Sequence, residues 1–367
     1  MQFTTSQLAC FKGCPKKWFY RFVKLLDPVG HKRNLELGSY VHYLLDQFYN
    51  PGGTGAEILT AGTHGDSLQA LAEKRYGWMM AESQNYFEAK TENLFEEEAA
   101  KFVELREEAE AIITRYIEIN ADDLSKYCVL ATELEFDIPV YSPNGKRTRD
   151  RFMGKFDMIV KDEFDTIWFF EHKTTADSVD NRFDTIELEE QLNNYTLVAS
   201  TMYEDYGGGI LNVIRKKAPR RPTPLKKGDL SRAKDIDTTY DLYMEAIKEY
   251  NMNPADYAEI LGVLKEKGDR FFGRKTISRK PYQILETRDE IWYTVQAIKA
   301  MLRLYKKTGS EAVFYRTPNF MCGKSCQYCN LCMMDSKKGD LESYIAGNFT
   351  KRESMNPELS VQEPEKI

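Results

Sequence analysis

Between residues 36 and 49 the chain runs ELGSYVHYLLDQFY. Apolar residues return at the three- and four-residue steps of a helix, and Pro51-Gly52-Gly53 stops it. From residue 67 to about residue 120 the sequence is rich in Ala, Glu, Leu, Arg and aromatics and has no proline. It predicts a helical insertion of two long helices broken near Thr91-Glu92-Asn93. The period then shortens to two. YCVLATELEFDIPVY, RFMGKFDMIVKD and DTIWFFEHKTT alternate apolar and polar positions, separated by Ser142-Pro143-Asn144-Gly145 and by Asp162-Glu163-Phe164-Asp165, which predicts three antiparallel strands. ELEEQLNNYTLVASTMYED returns to helical spacing, and GGGILNVIRKK forms a further short strand after a glycine turn. The expected architecture is α/β, a mixed sheet flanked by helices. Beyond it come a basic loop with prolines, helices through Leu304, a cysteine-rich stretch, and a charged tail over residues 336–367 expected to be flexible.

Composition narrows the classes. The chain has 367 residues, enough for one large core or two modest ones, and no run approaches the roughly 18 apolar residues of a membrane span. The opening MQFTTSQLACFKGCPKK lacks an apolar run before a small-residue cleavage site, so a cytoplasmic protein is expected. The formal net charge of −6 gives no global attraction to nucleic acid, and any polyanion site must come from local arrangement. Four of the seven cysteines fall in FMCGKSCQYCNLC, residues 320–332. In a reducing compartment such crowding points to a metal or iron-sulfur site rather than to disulfides. Cys10 and Cys128, with apolar neighbours, are expected to be small buried side chains.

The strands carry the candidate chemistry. Asp157 lies inside an otherwise apolar strand, and the next strand ends in Glu171-His172-Lys173. A carboxylate in such a place needs a base or a cation beside it. Glu171 and Lys173, two apart, project to one face, where a lysine can position or activate a water beside a metal; His172 points the other way. The competing reading pairs Asp157 and Glu171 with neighbouring bases as half-exposed strand residues. Glu133 and Glu135 alternate on the first strand, with Glu133 a candidate supporting acid or part of a solvated face, and His31 and His64 fall in loops.

The order Gly154-x-x-Asp157 followed by Glu171-x-Lys173 resembles the signature of the PD-(D/E)XK nuclease superfamily. That resemblance implies a restriction-endonuclease-like fold in which the acids bind Mg²⁺ or Mn²⁺ and the lysine supports the attacking water. His42 resembles the additional metal-ligand histidine of the RecB-like branch, and Gln191-x-x-x-Tyr195 resembles that branch's helix motif, four residues apart on one helix face. Ser6-x-Leu8-x-x-Phe11-x-x-Cys14-Pro15 is similar to the opening of the branch's iron-sulfur members, which include AddB-type nuclease domains and CRISPR-associated Fe-S exonucleases. The resemblance spans residues 6–332 and implies a [4Fe-4S] cluster that joins Cys14 to C-terminal cysteines, within one nuclease domain over residues 1–335. The spacing departs from the family's: Cys322, Cys326, Cys329 and Cys332 offer one thiol too many. Cys14, Cys326, Cys329 and Cys332 are the favoured ligands, Cys322 is the alternative, and a structural Zn²⁺ on the same thiolates stays open.

Two basic stretches suit a phosphate backbone. One holds Arg215, Lys216, Lys217, Arg220, Arg221, Lys226 and Lys227, with Arg232 and Lys234 beyond. The other, DRFFGRKTISRKPYQI, sets Phe271, Phe272 and Tyr282 among Arg274, Lys275, Arg279 and Lys280, the mixture of rings and cations expected of single-strand binders. The family resemblance implies a DNA exonuclease acting on single strands or free ends in recombination, repair or phage DNA metabolism, in a bacterial or phage-host cytoplasm. No Gly-x(4)-Gly-Lys-Ser/Thr loop is present, so a helicase or recombination partner would be a separate chain. The rival classes are a nonenzymatic DNA-binding or assembly subunit of the same fold and a zinc-stapled interaction protein.

Overall fold

A computed structural model describes residues 1–30, 33–50, 67–92, 94–357 and 359. His31, Pro51-Gly52-Gly53, His64, Asn93 and the end of the charged tail lie outside the described residues. No helix among the described residues is long and apolar enough to cross a membrane.

The chain opens with β1 (Gln2–Thr4), which the alternation pattern does not reveal because it is three residues long, and with α1 (Thr5–Gly13). The Thr4 side chain caps α1 by accepting the Gln7 N–H. Cys14 is extended between α1 and α2 (Pro15–Trp18), where Pro15 takes the first helical position and needs no donor. After β2 (Leu26–Pro28) comes α3 (Arg33–Tyr49), the helix expected at 36–49. The helical insertion consists of α4 (Leu68–Thr91) and α5 (Glu96–Asn120), followed by the single turn α6 (Asp123–Lys126). Both long helices pack on α3, its Leu37, Val41, Leu44 and Phe48 sharing one core with Leu71 and Met79 of α4 and with Leu105, Ile112 and Ile113 of α5.

The strands expected from alternation are β3 (Cys128–Tyr141), β4 (Arg147–Lys161) and β5 (Ile167–Thr175), all antiparallel neighbours. The turn α7 (Asp180–Phe183) and the helix α8 (Glu190–Met202) carry the chain to β6 (Tyr206–Arg215), parallel to β5. Between β6 and the next strand, α9 (Tyr240–Glu249) and α10 (Ala258–Lys267) build a small core of their own from Tyr243, Ile247, Tyr257, Ile260, Leu264 and Leu230. β7 (Phe272–Ile277) then closes the edge beside β6. The sequence pattern places a DNA-contacting stretch there. The strand forms because Phe272 and Ile277 are buried and its backbone completes the β6 ladder.

The long helix α11 (Pro281–Thr308) covers one face of the sheet through Ile291, Val295, Ile298 and Leu302. After α12 (Cys329–Ser336), the segment expected as a flexible tail instead forms α13 (Leu341–Asn348) and β8 (Phe349–Lys351), which pairs antiparallel with β2. Buried Phe349, stacked on Tyr328, holds it in place despite the surrounding charge. The architecture is α/β, a central mixed sheet between helices.

Candidate active site and thiol cavity

β4 has three partners. β3 runs along one edge, while β1 and β5 divide the other: β1 pairs with residues 151–153 and β5 with 158–161. The stretch between, 154–157, is where the sheet forks. Phe156 and Met158 are two apart yet enter different cores, so the strand rolls between them and Asp157 sits at the roll. On β3, Thr132 pairs with Met158 and Leu134 with Phe156, which sets Glu133 opposite Asp157. Glu133 has φ of +49°, a left-handed value uncommon for a non-glycine residue. Gly154 is required by packing: a Cβ there would lie 2.5 Å from the Phe136 ring.

Opening the ladder leaves the His172 N–H without a strand partner, and it donates to Asp157 Oδ2 at 2.6 Å. Asp157 Oδ1 faces His42 Nδ1 at 3.6 Å. His42 comes from α3, which lies close against β5 because Gly38, one turn earlier, leaves room for Thr174. Ligand atoms of His42, Asp157 and Glu133 all lie within 4.8 Å of one another. Glu171 turns inward, its Oε1 accepting from Lys173 Nζ at 2.6 Å, and Lys173 Nζ also donates to Gln191 on α8. Tyr195, one turn on, packs among Phe136, Phe156 and Phe169 with its hydroxyl in reach of Gln191.

The electrostatics follow from crowding these groups in a buried place. Burial opposes ionisation of Asp157, but His42, His172 and Lys173 overcome it and hold the carboxyl well below the usual carboxylate range. Glu171 goes the other way: burial first, reinforced by Asp157 and opposed by Lys173, pushes it up to about 7. Burial works against the charge on Lys173 and Glu171 restores it, raising the ammonium above its ordinary value. For His42, Asp157 likewise outweighs burial and raises the imidazole. Burial drives His172 down to about 3. Glu171 Oε2 is buried and has no hydrogen-bond partner among the described residues. Glu171 stands outside the group formed by His42, Glu133 and Asp157, but its carboxyl feels Asp157 and His42, and an orphaned carboxylate oxygen next to that group fits a hard divalent cation.

Glu133 therefore belongs beside the expected His42 and Asp157, with Lys155, its ion-pair partner, and Asp46 on the same cleft wall. The signal for Glu133 in the sequence is only its alternation. Its pairing depends on a register shift between Pro139 and Tyr141.

The expected DNA contacts separate. Lys216 lines the cleft with Thr174 and Asp157, and Arg220, Lys226 and Lys227 are exposed. Arg215 and Lys217 pair with Asp237, and Arg221 pairs with Glu245 and Glu249 of α9. Two others do not join them. Arg274 is bound bidentately to buried Asp123 and lies over the Tyr116 and Phe170 rings. Arg279, 3% exposed, donates to Asn193, Glu187 and the Ile186 carbonyl. Both cations are taken up by the fold.

The cysteines gather elsewhere. Cys14, Cys322, Cys326, Cys329 and Cys332 line one cavity of about 420 Å³, and Cys10, expected as a core side chain, lines it too. All are free thiols, and Lys17 and Arg316 stand on the same wall. The Asn319 N–H donates to Cys322 Sγ at 3.5 Å. Burial pushes the Cys10 thiol up to about 11 and also raises Cys332. Thiols converging from both α1 and α12, with cations beside them, form a donor set that suits a soft metal or an anionic iron-sulfur cluster.

No curated protein matches the chain. A sequence model of the PD-(D/E)XK nuclease superfamily matches residues 2–333, a span that includes the fork of β4, the Glu171–Lys173 pair and the Gln191 helix. Nucleases of this superfamily use divalent metals, as the acids gathered at the fork would allow. By its sequence and by the geometry of that fork, the chain belongs to the PD-(D/E)XK nuclease superfamily.

Proposed function

We propose that this protein is a Mg²⁺- or Mn²⁺-dependent DNA exonuclease of the RecB-like branch, acting on single strands or free ends. The observation that carries the reading is the set at the fork: Asp157 held by the His172 N–H, His42 facing it, and Glu171 with a buried oxygen that has no partner among the described residues. Asp157, Glu171 and His42 would hold the cation, with Glu133 completing the set. When bound, the cation supplies Lewis-acid polarisation of the scissile phosphate and lowers the pKa of water. Lys173 stays protonated beside Glu171, so it serves as a donor and not as the base. An ammonium has three N–H groups; two go to Glu171 and Gln191, and the third is free to orient the attacking water or a phosphate oxygen. Gln191, backed by Tyr195, fixes the direction of that third donor. Lys216 at the cleft edge and the exposed Arg220, Lys226 and Lys227 would follow the phosphate backbone.

In the same reading the thiol cavity holds a [4Fe-4S] cluster on Cys14, Cys326, Cys329 and Cys332, with Cys322 as the alternative ligand and Zn²⁺ as the alternative metal. The fold would be one nuclease domain through residue 335, working in recombination, repair or phage DNA metabolism in a cytoplasm, with any helicase a separate chain. A degradation time course tests the activity, using 5′- and 3′-labelled single- and double-stranded DNA with Mg²⁺ or Mn²⁺. Mononucleotide release from one labelled end of single strands is expected, and release of internal fragments alone would replace the exonuclease with an endonuclease. Iron and zinc content of anaerobically purified protein decides the cavity.

A further inference from the structure

Behind the cleft, on the opposite face of β5 from Lys173, lies a run of buried polar side chains that the reaction above does not use. Arginine can only donate, so Arg274 fixes the direction of the whole run. NH1 and NH2 of its guanidinium each donate to Asp123 at 2.6 Å, and its Nε donates to Asn212 Oδ1 at 3.1 Å. With its oxygen turned to the guanidinium, Asn212 presents its NH₂ group to His172 Nδ1 at 2.7 Å. That nitrogen must accept, which leaves the ring proton on Nε2. The Asn212 NH₂ group also donates to the Tyr116 hydroxyl at 3.0 Å, and Tyr49, from the helix that carries His42, donates to Asp123 and stacks on the His172 ring. Asn212 and Tyr116 are fully buried, and Asp123 and His172 are 3% exposed, so no water competes for these bonds.

The run ends at the metal site. His172 lies between Glu171 and Lys173, and its own main-chain N–H holds Asp157 Oδ2. A ring locked from behind by Asn212 leaves the main chain at residue 172 little freedom, and the aim of that N–H depends on it. Four elements supply the lock: α6, β5, β6 and β7. We propose that Arg274 is a positioning residue for DNA cleavage, holding Asp157 in place at the metal site through Asn212 and His172. The inference rests on Asp157 being a metal ligand.

Asn212→Ala tests it, because the Arg274–Asp123 pair survives. The cleavage rate at saturating single-stranded DNA should fall about tenfold to a hundredfold and the half-saturating Mn²⁺ concentration should rise, while DNA affinity in Ca²⁺ stays as in the wild type. A folded variant with a lower melting temperature but wild-type rate and Mn²⁺ requirement would show a purely structural network and overturn the proposal. Arg274→Lys is the second variant: it keeps a charge at Asp123, loses the fork that reaches Asn212, and should show the same pattern. Should neither fold, ¹⁵N NMR of the wild-type imidazoles at pH 7 decides. A neutral His172 protonated at Nε2 supports the chain of donors, and one protonated at Nδ1 overturns it. Asp157→Ala is assayed alongside. If it cleaves at the wild-type rate, the metal assignment fails; if it is inactive while Asn212→Ala is fully active, only the network fails.

Discussion

In the acidic cleft the candidate side chains hold one another. Asp157 is gripped by a main-chain N–H, Lys173 by Glu171 and Gln191, and Glu133 by Lys155. In the thiol cavity six cysteines face one space with few protein contacts, an N–H contact from Asn319 to Cys322 and a hydrogen bond from Arg316 to Cys332, and burial raises the Cys10 and Cys332 thiols. The cavity's frame, however, does not rely on the sulfurs. Asp335 receives Lys16, Tyr20 and Arg316, Tyr328 donates to the Leu26 carbonyl at 2.7 Å, and Phe314 stacks on Phe19 at 4.5 Å. The difference teaches that a catalytic site is preorganised by protein contacts. On the assignment proposed above, the cavity needs only a frame that brings the thiols together, and a metal bound there would supply the rest.

The strongest way to break the comparison is to remove the cleft's own donor. Lys173→Ala should lower cleavage about 10²- to 10³-fold with the thiol cavity's metal content and DNA affinity unchanged, measured on end-labelled DNA and by metal analysis. Loss of iron or zinc in that variant would mean that the two regions are not independent.

Next come paired changes at the cavity. Cys14→Ser should lose metal and lower the melting temperature, yet stay folded because the Asp335 frame remains. Asp335→Ala leaves Lys16, whose side chain is 4% exposed, with Glu311 at 3.5 Å as its remaining carboxylate and should destabilise by about 2 kcal/mol in urea unfolding. Full metal and stability in Cys14→Ser would confine the metal to the C-terminal cysteines, and the same assay on Cys10→Ser and Cys322→Ser identifies the thiols not used.

A smaller effect is expected at Gly38. Its substitution by Ala puts a Cβ 2.9 Å from Thr174 Oγ1, which moves α3 and His42 away from Asp157. Cleavage should drop about tenfold, and Gly38→Ala with Thr174→Ala should recover part of it; no recovery would assign the loss to another contact.

The metal-free protein should also show the cleft's burial in its pH dependence. His172 titrates at about 3 in the fold and near 6.5 when unfolded. In that interval the unfolded chain binds the extra proton, so the ring's own contribution to stability is complete above about 6.5 and is lost as pH falls toward 3. Glu171, pushed up to about 7, and His42, also raised, take up protons in the fold over the same interval and offset that loss, so the ring itself is followed: by ¹⁵N NMR His172 should stay neutral at pH 5, and a protonated ring there would show that it is hydrated in the fold.

The smallest effect concerns the exposed lysines. Lys226→Ala with Lys227→Ala should flatten the salt dependence of DNA binding by about one unit per lost phosphate contact. Arg279→Ala should leave that slope unchanged and lower the melting temperature, since its guanidinium is spent on Asn193 and Glu187.

By itself the sequence determined what nearest neighbours control. The period of two shows the strands from 128 to 175 and puts Glu171 and Lys173 on one face, the period of 3.6 puts Gln191 and Tyr195 on one helix face, and crowding marks the cysteines as a set. Tertiary structure decided the rest. The shift between Pro139 and Tyr141 moves β3 by two residues against β4 and brings Glu133 to Asp157 in place of Lys155. Arg274 and Arg279 look like phosphate ligands in a basic stretch, but a buried carboxylate from 151 residues away claims the first, and Asn193 with Glu187 claims the second. Cys10 enters the cavity because it sits on the last turn of α1, its carbonyl accepting the Cys14 N–H, and residues 341–351 are ordered because β2 offers an edge and Tyr328 a ring. Periodicity is a local property, whereas register and the pairing of buried charge depend on partners that only the closed fold supplies.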